Sequence, residues 1–183
     1  RVNVQLMLSQ HEVKCPTCVR NGNCVLQSLA RELNVLDVPY AENATHQSWD
    51  ASFPLIRDSA KCVRCLRCVQ VCAKVQGCDV WDVKNRATRL DVDVRDGLPI
   101  QDAGCTLCGQ CVTHCPTGAL RERDDTDAVL AALADPDTVC VAQVAPAVRT
   151  SWGEGFGLEG TDASEGRLAA TLGALGFDYV FDT

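Results

Sequence analysis

The chain has 183 residues and a formal charge of −7, room for one ordinary domain or two or three small ones. No basic stripe runs along it, which argues against a nucleic-acid partner. Its longest apolar runs, such as Val129–Ala134, are far too short to span a bilayer, so no membrane span is expected.

In chain order, Val2–Ser9 reads as the tail of an amphipathic helix or a short strand. "HEVKCPTCVRNGNC" follows, His11 to Cys24. A helix through Leu33 comes next, with Asn21 or Asn23 as its cap and Val25, Leu29 and Leu33 on one face. Val38–Pro54 reads as a linker. Two cysteine runs occupy 62–72 and 105–115. Between them "TRLDVDV" alternates apolar and polar residues and "RDGL" makes a turn, which predicts a hairpin there. "DDTDAVLAALADPD" is a helix with an acidic start, ending near Pro136. "TVCVAQVA" is a buried strand. "SEGRLAATLGALGF" is a helix capped by Ser164 and stopped at Gly176. "DYVFD" is a second strand, giving one β-α-β unit over Thr138–Asp182.

Thirteen cysteines are present, and eleven fall in three tight groups. Disulfide scaffolds are mostly short secreted domains. Repeated C-x2-C pairs suit a metal better, because near neighbours must converge on one centre. A reducing cytoplasm follows as the expected location. The chain begins at Arg1 without a signal-peptide pattern, so it reads as trimmed at its front rather than secreted.

Cys62 to Cys72 reads C-x2-C-x2-C-x3-C, and Cys105 to Cys115 repeats it with Pro116 after. This is the bacterial ferredoxin spacing, in which the fourth cysteine of each run serves the other cluster. Cys62, Cys65, Cys68 and Cys115 are therefore assigned to one [4Fe–4S] cluster. Cys105, Cys108, Cys111 and Cys72 take the other. Zinc knots pair two C-x2-C halves across a longer gap and have no use for this run. Cys78 and Cys140 stand outside the pattern and read as buried structural thiols.

His11, Cys15, Cys18 and Cys24 read H-x3-C-x2-C-x5-C. On chemistry alone this set fits a Cys3His zinc site or a cubane with one imidazole ligand. "HEVKCPTCVRNGNCVLQ" resembles the His-ligated [4Fe–4S] motif shared by [FeFe]-hydrogenases, the large iron–sulfur subunit of respiratory NADH dehydrogenases, and some formate dehydrogenases. That resemblance implies a third [4Fe–4S] cluster on His11, Cys15, Cys18 and Cys24. His46 and His114 have no such company, and His114 is expected near a cluster without binding it.

"APAVR" and "GFDYVFDT", within the last 45 residues or so, resemble the start of the catalytic domain of [FeFe]-hydrogenases. The resemblance covers nearly the whole chain and implies an order: 1–54 a His-ligated cluster domain with linker, 55–125 a two-cluster ferredoxin-like domain, 126–183 the first part of the hydrogen-cluster domain. The expected class is α+β, with an incomplete α/β unit at the C-terminus. The implied function is electron relay between an outside donor or acceptor and a hydrogen site. Redox partner subunits, NADH- and flavin-linked, or a ferredoxin are the implied partners. No catalytic residue is expected within 1–183. The cysteines of the hydrogen cluster and any [2Fe–2S] domain are expected only in flanking segments, and the chain reads as part of a longer one. The alternative is a relay subunit of an NADH-linked dehydrogenase complex that lacks the hydrogen site. "GFGLEG" at 155–160 matches G-x-G-x-x-G, but Pro146–Trp152 separates it from the strand, so it is not read as a nucleotide loop.

Overall fold

The computed structural model describes residues 1–158 and 160–183. It divides into two compact units, 1–123 and 124–183.

The first unit opens with helix α1, Val2–Ser9, which resolves the helix-or-strand choice. Helix α2 spans Val25–Glu32 with Cys24 at its N-cap position and no side-chain cap. Neither asparagine caps it: Asn21 Oδ1 instead accepts from Gln27 Nε2 at 3.0 Å. The buried face also differs from the expected one. Leu26 is buried, while Val25, Leu29 and Leu33 stay exposed. The reason lies at the first turn, where the Val25 N–H donates to the Pro116 carbonyl at 3.1 Å. That docking fixes which side of the helix faces inward.

Residues 38–54 form neither helix nor strand, yet they are tied down. The Trp49 indole donates to the Leu55 carbonyl at 2.8 Å and stacks on Trp81 with centroids 5.9 Å apart. Ser59 Oγ donates to the Thr45 carbonyl at 2.7 Å. The expected linker is thus a packed strap.

Strand β1, Leu55–Arg57, is followed by α3, Arg67–Gln70, which continues as a π-helical stretch over Val71–Gln76. Strands β2, Trp81–Lys84, and β3, Asp91–Val94, pair antiparallel. "LDVDV" is therefore a strand, but its partner precedes it. "RDGL" leads out of the hairpin rather than turning it. Trp81 of β2 and Val92 and Val94 of β3 are buried, and that apolar face selects the pairing. Helix α4 spans Gln110–His114. Strand β4, Leu120–Glu122, returns antiparallel beside β1. The core joins Leu55, Val80, Trp81, Val92, Val94, Ile100 and Leu120 with Cys72 and Cys111.

The second unit holds α5 (Thr126–Ala134), β5 (Val141–Val144), α6 (Pro146–Ser151), α7 (Glu165–Leu175) and β6 (Tyr179–Asp182). Ser164 caps α7 by accepting from the Arg167 N–H, and Gly176 ends it at φ +110°, as expected. Strands β5 and β6 are parallel. Neither is buried, against expectation: Val141 is 52% and Phe181 56% exposed. Two parallel strands lack the layers that normally cover both faces. The G-x-G-x-x-G stretch includes Glu159, which lies outside the described residues. Among the described residues no helix is long and apolar enough to cross a membrane.

Candidate metal centres

None of the thirteen cysteines is paired in a disulfide. The two four-cysteine runs share one backbone pattern. In the first, Arg64 and Leu66 have φ of +55° and +61°; in the second, Leu107 and Gly109 have +54° and +71°. The left-handed residues thus fall two and four places after the first cysteine of each run. A non-glycine residue in this region costs about 1–2 kcal/mol, so three such positions need compensation. The return is a tight loop whose N–H groups turn toward sulfur. The Arg64 N–H lies 3.4 Å from Cys62 Sγ. The Leu107 N–H plays the same part for Cys105.

Three cavities in the first unit are bordered by the sequence-predicted residues. Cys62, Cys65, Cys68 and Cys115 line one, together with Arg57 and Trp81. Cys72, Cys105, Cys108 and Cys111 line a second, of about 230 Å³, together with Cys78 and Trp81. His11, Cys15, Cys18 and Cys24 line the third, together with Gly118. The fold therefore brings Cys115 to the first run and Cys72 to the second, and Trp81 borders both cavities. Among the described residues no three His, Cys, Asp or Glu converge closely enough to share one metal ion. The four-residue sets surround spaces instead.

His11 is buried, and its Nδ1 lies 3.1 Å from the Lys61 carbonyl. That contact makes Nδ1 the donor and leaves the Nε2 lone pair for a metal. Burial holds the imidazole below its ordinary pKa, against the opposite pull of the Lys61 carbonyl. The same carbonyl accepts from Thr117 Oγ1 at 2.8 Å. Lys61 precedes Cys62 and Thr117 follows Cys115 by two, so the His11 site is wired to both. Arg20 adds a clamp, donating to the Val112 and Cys115 carbonyls at 3.1 and 3.0 Å.

Burial raises several thiols. Cys68 is pushed up to about 12. Cys111 is pushed up to about 11 by burial, with the Trp81 indole pulling the other way as a hydrogen-bond donor. Burial also raises Cys62 and Cys105. Bare thiolates are disfavoured at such sites, and a bound metal takes the place of the proton. Soft sulfur donors around cavities, with N–H groups aimed at sulfur, fit iron–sulfur clusters.

Several expectations shift. Cys78 is half-buried and lines the second cavity; it is not simply core. Cys140 is half-buried just before β5, with its N–H donating to Asp178 at 2.8 Å. His46 is exposed. His114 is exposed, with Nδ1 2.8 Å from the Gln110 carbonyl. Sequence reasoning missed Arg57, Trp81, Lys61 and Gly118. Only Gly118, three places after Cys115, carried a local signal, a glycine beside a ligand loop.

Comparison with known proteins follows the same division. Residues 1–39 match the model of the NADH-ubiquinone oxidoreductase-G iron-sulfur binding region. Residues 61–119 match the 4Fe-4S dicluster domain, and 138–183 match the iron only hydrogenase large subunit, C-terminal domain. The NADP-reducing hydrogenase subunit HndD of Solidesulfovibrio fructosivorans is 42% identical over the whole chain, which covers 32% of that protein. Iron hydrogenase 1 of Clostridium pasteurianum is 33% identical over 98% of the chain, which again covers 32% of it. The chain thus spans about a third of each. A crystal structure of an NAD+-reducing [NiFe]-hydrogenase superposes with a TM-score of 0.59 at 21% identity, covering 67% of this chain and 53% of that one; it supports the α+β fold. Iron–sulfur regions and the opening of the hydrogenase C-terminal domain thus match in this order along the chain, which is similar throughout to the iron–sulfur segment of iron-only hydrogenase large subunits.

Proposed function

We propose that the chain relays single electrons through three [4Fe–4S] clusters, between an external donor or acceptor and a hydrogen-activating site in the same subunit. The observation that carries this is the set of three cavities, each bordered by one four-ligand set. The clusters would supply reversible one-electron steps. His11, Cys15, Cys18 and Cys24 hold one. Cys62, Cys65, Cys68 and Cys115 hold the second. Cys105, Cys108, Cys111 and Cys72 hold the third. The second lies in the middle of the row: it shares Trp81 with the third cavity, and Lys61 and Thr117 link it to His11. Functionally the chain divides into 1–54, 55–125 and 126–183. NADH- or flavin-linked iron–sulfur subunits, or a ferredoxin, are the partners, and the cytoplasm is the compartment. The match of residues 1–39 to the NADH-ubiquinone oxidoreductase-G region favours a second reading, a relay subunit within an NADH-linked complex that lacks the hydrogen site.

The test is anaerobic reconstitution with metal and sulfide analysis. Three cubanes correspond to about twelve irons and twelve sulfides per chain. Near-stoichiometric zinc without broad visible absorbance would overturn the reading.

A further inference from the structure

One cavity holds a thiol too many. A cubane offers four iron corners to protein ligands. The cavity of the Cys62 set is bordered by four cysteines, which matches that number. The cavity of the Cys105 set is bordered by five, because Cys78 joins Cys72, Cys105, Cys108 and Cys111.

The fold places the fifth thiol there by a specific device. Cys72 sits in the π-helical stretch Val71–Gln76, and Gly77 ends that stretch at φ +69°. The turn sends the Cys78 N–H back to the Cys72 carbonyl at 3.1 Å. Wide π turns often mark functional positions. Cys78 Sγ lies 3.5 Å from Thr106 Oγ1, next to Cys105. Two independent contacts therefore put Cys78 between the two ends of one ligand set. Its side chain is half-buried, whereas Cys72 is buried.

We infer that Cys78 is a reserve ligand of the Cys105 cavity, which takes the iron corner of Cys72 when that thiolate is lost. The inference rests on the three-cluster reading above. The exchange balances simply. The Cys78 thiol gives its proton to water and forms one iron–sulfur bond at the corner that Cys72 no longer fills. No electron is transferred.

The experiment compares reconstituted full chains: unaltered, Cys72→Ala, Cys72→Val, Cys72→Ala/Cys78→Ala and Cys115→Ala. Iron is counted per chain, and alkylation of Cys78 by iodoacetamide is read by peptide mass spectrometry. In the unaltered chain Cys78 is expected to alkylate. In Cys72→Ala, iron stays near twelve per chain and Cys78 becomes protected, with an altered low-temperature EPR signal from one cluster. The double variant falls to about eight irons, as three closed cubanes become two. Cys115→Ala also loses iron, because no fifth thiol borders its cavity. Cys72→Val fills the space of the lost sulfur and guards against a packing defect. About eight irons in both Cys72 variants, with Cys78 still alkylated, would overturn the inference, since the other two loaded sites report an intact fold. A low iron count in the unaltered chain would instead refute the three-cluster reading.

Discussion

Replacing Asp91 by asparagine is expected to raise the midpoint potential of one cluster and no other. Arg57 and Asp91 form an ion pair at 3.3 Å, with side chains only 4% and 5% exposed. Arg57 also borders the cavity of Cys62, Cys65, Cys68 and Cys115. In the unaltered chain the carboxylate offsets much of the guanidinium field at that cavity. The amide would remove the offset while keeping the side-chain shape. Reduction adds negative charge, so an unmasked cation favours the reduced form. A unit charge about 8 Å from a redox centre contributes about 2 kcal/mol at an effective dielectric of about 20. For one electron, tenfold in equilibrium is about 59 mV, so the shift is on the order of 90 mV upward. Arg57→Met is expected to shift the same cluster downward. A double change, Arg57→Met with Asp91→Leu, should return near the start. Stability responds differently. Breaking a buried pair from one side costs about 3–5 kcal/mol. Asp91→Asn should sit at the low end, because the guanidinium keeps the Val92 carbonyl, Gln47 Oε1 and, at 4.0 Å, Asp93. The assay is a redox titration followed by EPR. Shifts of the same sign in both single variants, or a shift in another cluster, would refute the reasoning.

Three further outcomes are expected. His11→Cys should retain three clusters and lower one midpoint, because a thiolate adds negative charge where imidazole is neutral; an unchanged set of midpoints would remove His11 from the ligands. Gly118→Ala should empty the His11 site selectively, since the added Cβ would stand 3.0 Å from Cys18 Sγ and overpacking costs about 1–3 kcal/mol; full iron loading would show that Cys18 gives way freely. Residues 1–183 with full iron should neither evolve nor consume hydrogen with a strong artificial donor, because closed four-ligand cubanes leave no open metal position; hydrogen above the cluster-free control by gas chromatography would reveal a site within these residues.

Much of the candidate site was legible because ligand spacing is a local property. The exchange of Cys72 and Cys115 between runs followed from the spacing, and the cavities are lined in that arrangement. Helix α7 was legible at both ends, through Ser164 and Gly176. What could not be read depends on long-range packing. Strands β1 and β4 are three residues each and lie more than 60 residues apart; neither has a pattern long enough to register. The hairpin partner of β3 was misplaced because "WDVK" precedes a six-residue connection, while "RDGL" offered a stronger local turn. The strap at 38–54 looked like a linker because its anchors, Trp49 and Thr45, find partners only in the fold. Cys78 looked like core because the sequence count of ligands was already full.

The two cysteine runs also show why ligand spacing alone does not fix redox behaviour. They share spacing and left-handed loop positions, so the ligand geometry repeats. Their surroundings do not repeat. The Cys62 cavity has a buried guanidinium at its edge, already compensated by Asp91. The Cys105 cavity has the Trp81 indole donating toward Cys111, and a spare thiol in Cys78. Cys72 adds an N–H contact of its own, from Val80 at 3.3 Å. A hydrogen bond to sulfur stabilises the more negative, reduced state, as a cation does. A compensated ion pair contributes less than a lone donor aimed at the ligand. On the proposed ligation the His11 site differs again, with a neutral ring in place of one thiolate; the Lys61 carbonyl holds that ring in place. Two sites built from one loop pattern and a third built from another thus have three different environments. On these terms the middle site, between His11 and Trp81, is the one whose potential a single buried charge can most readily reset.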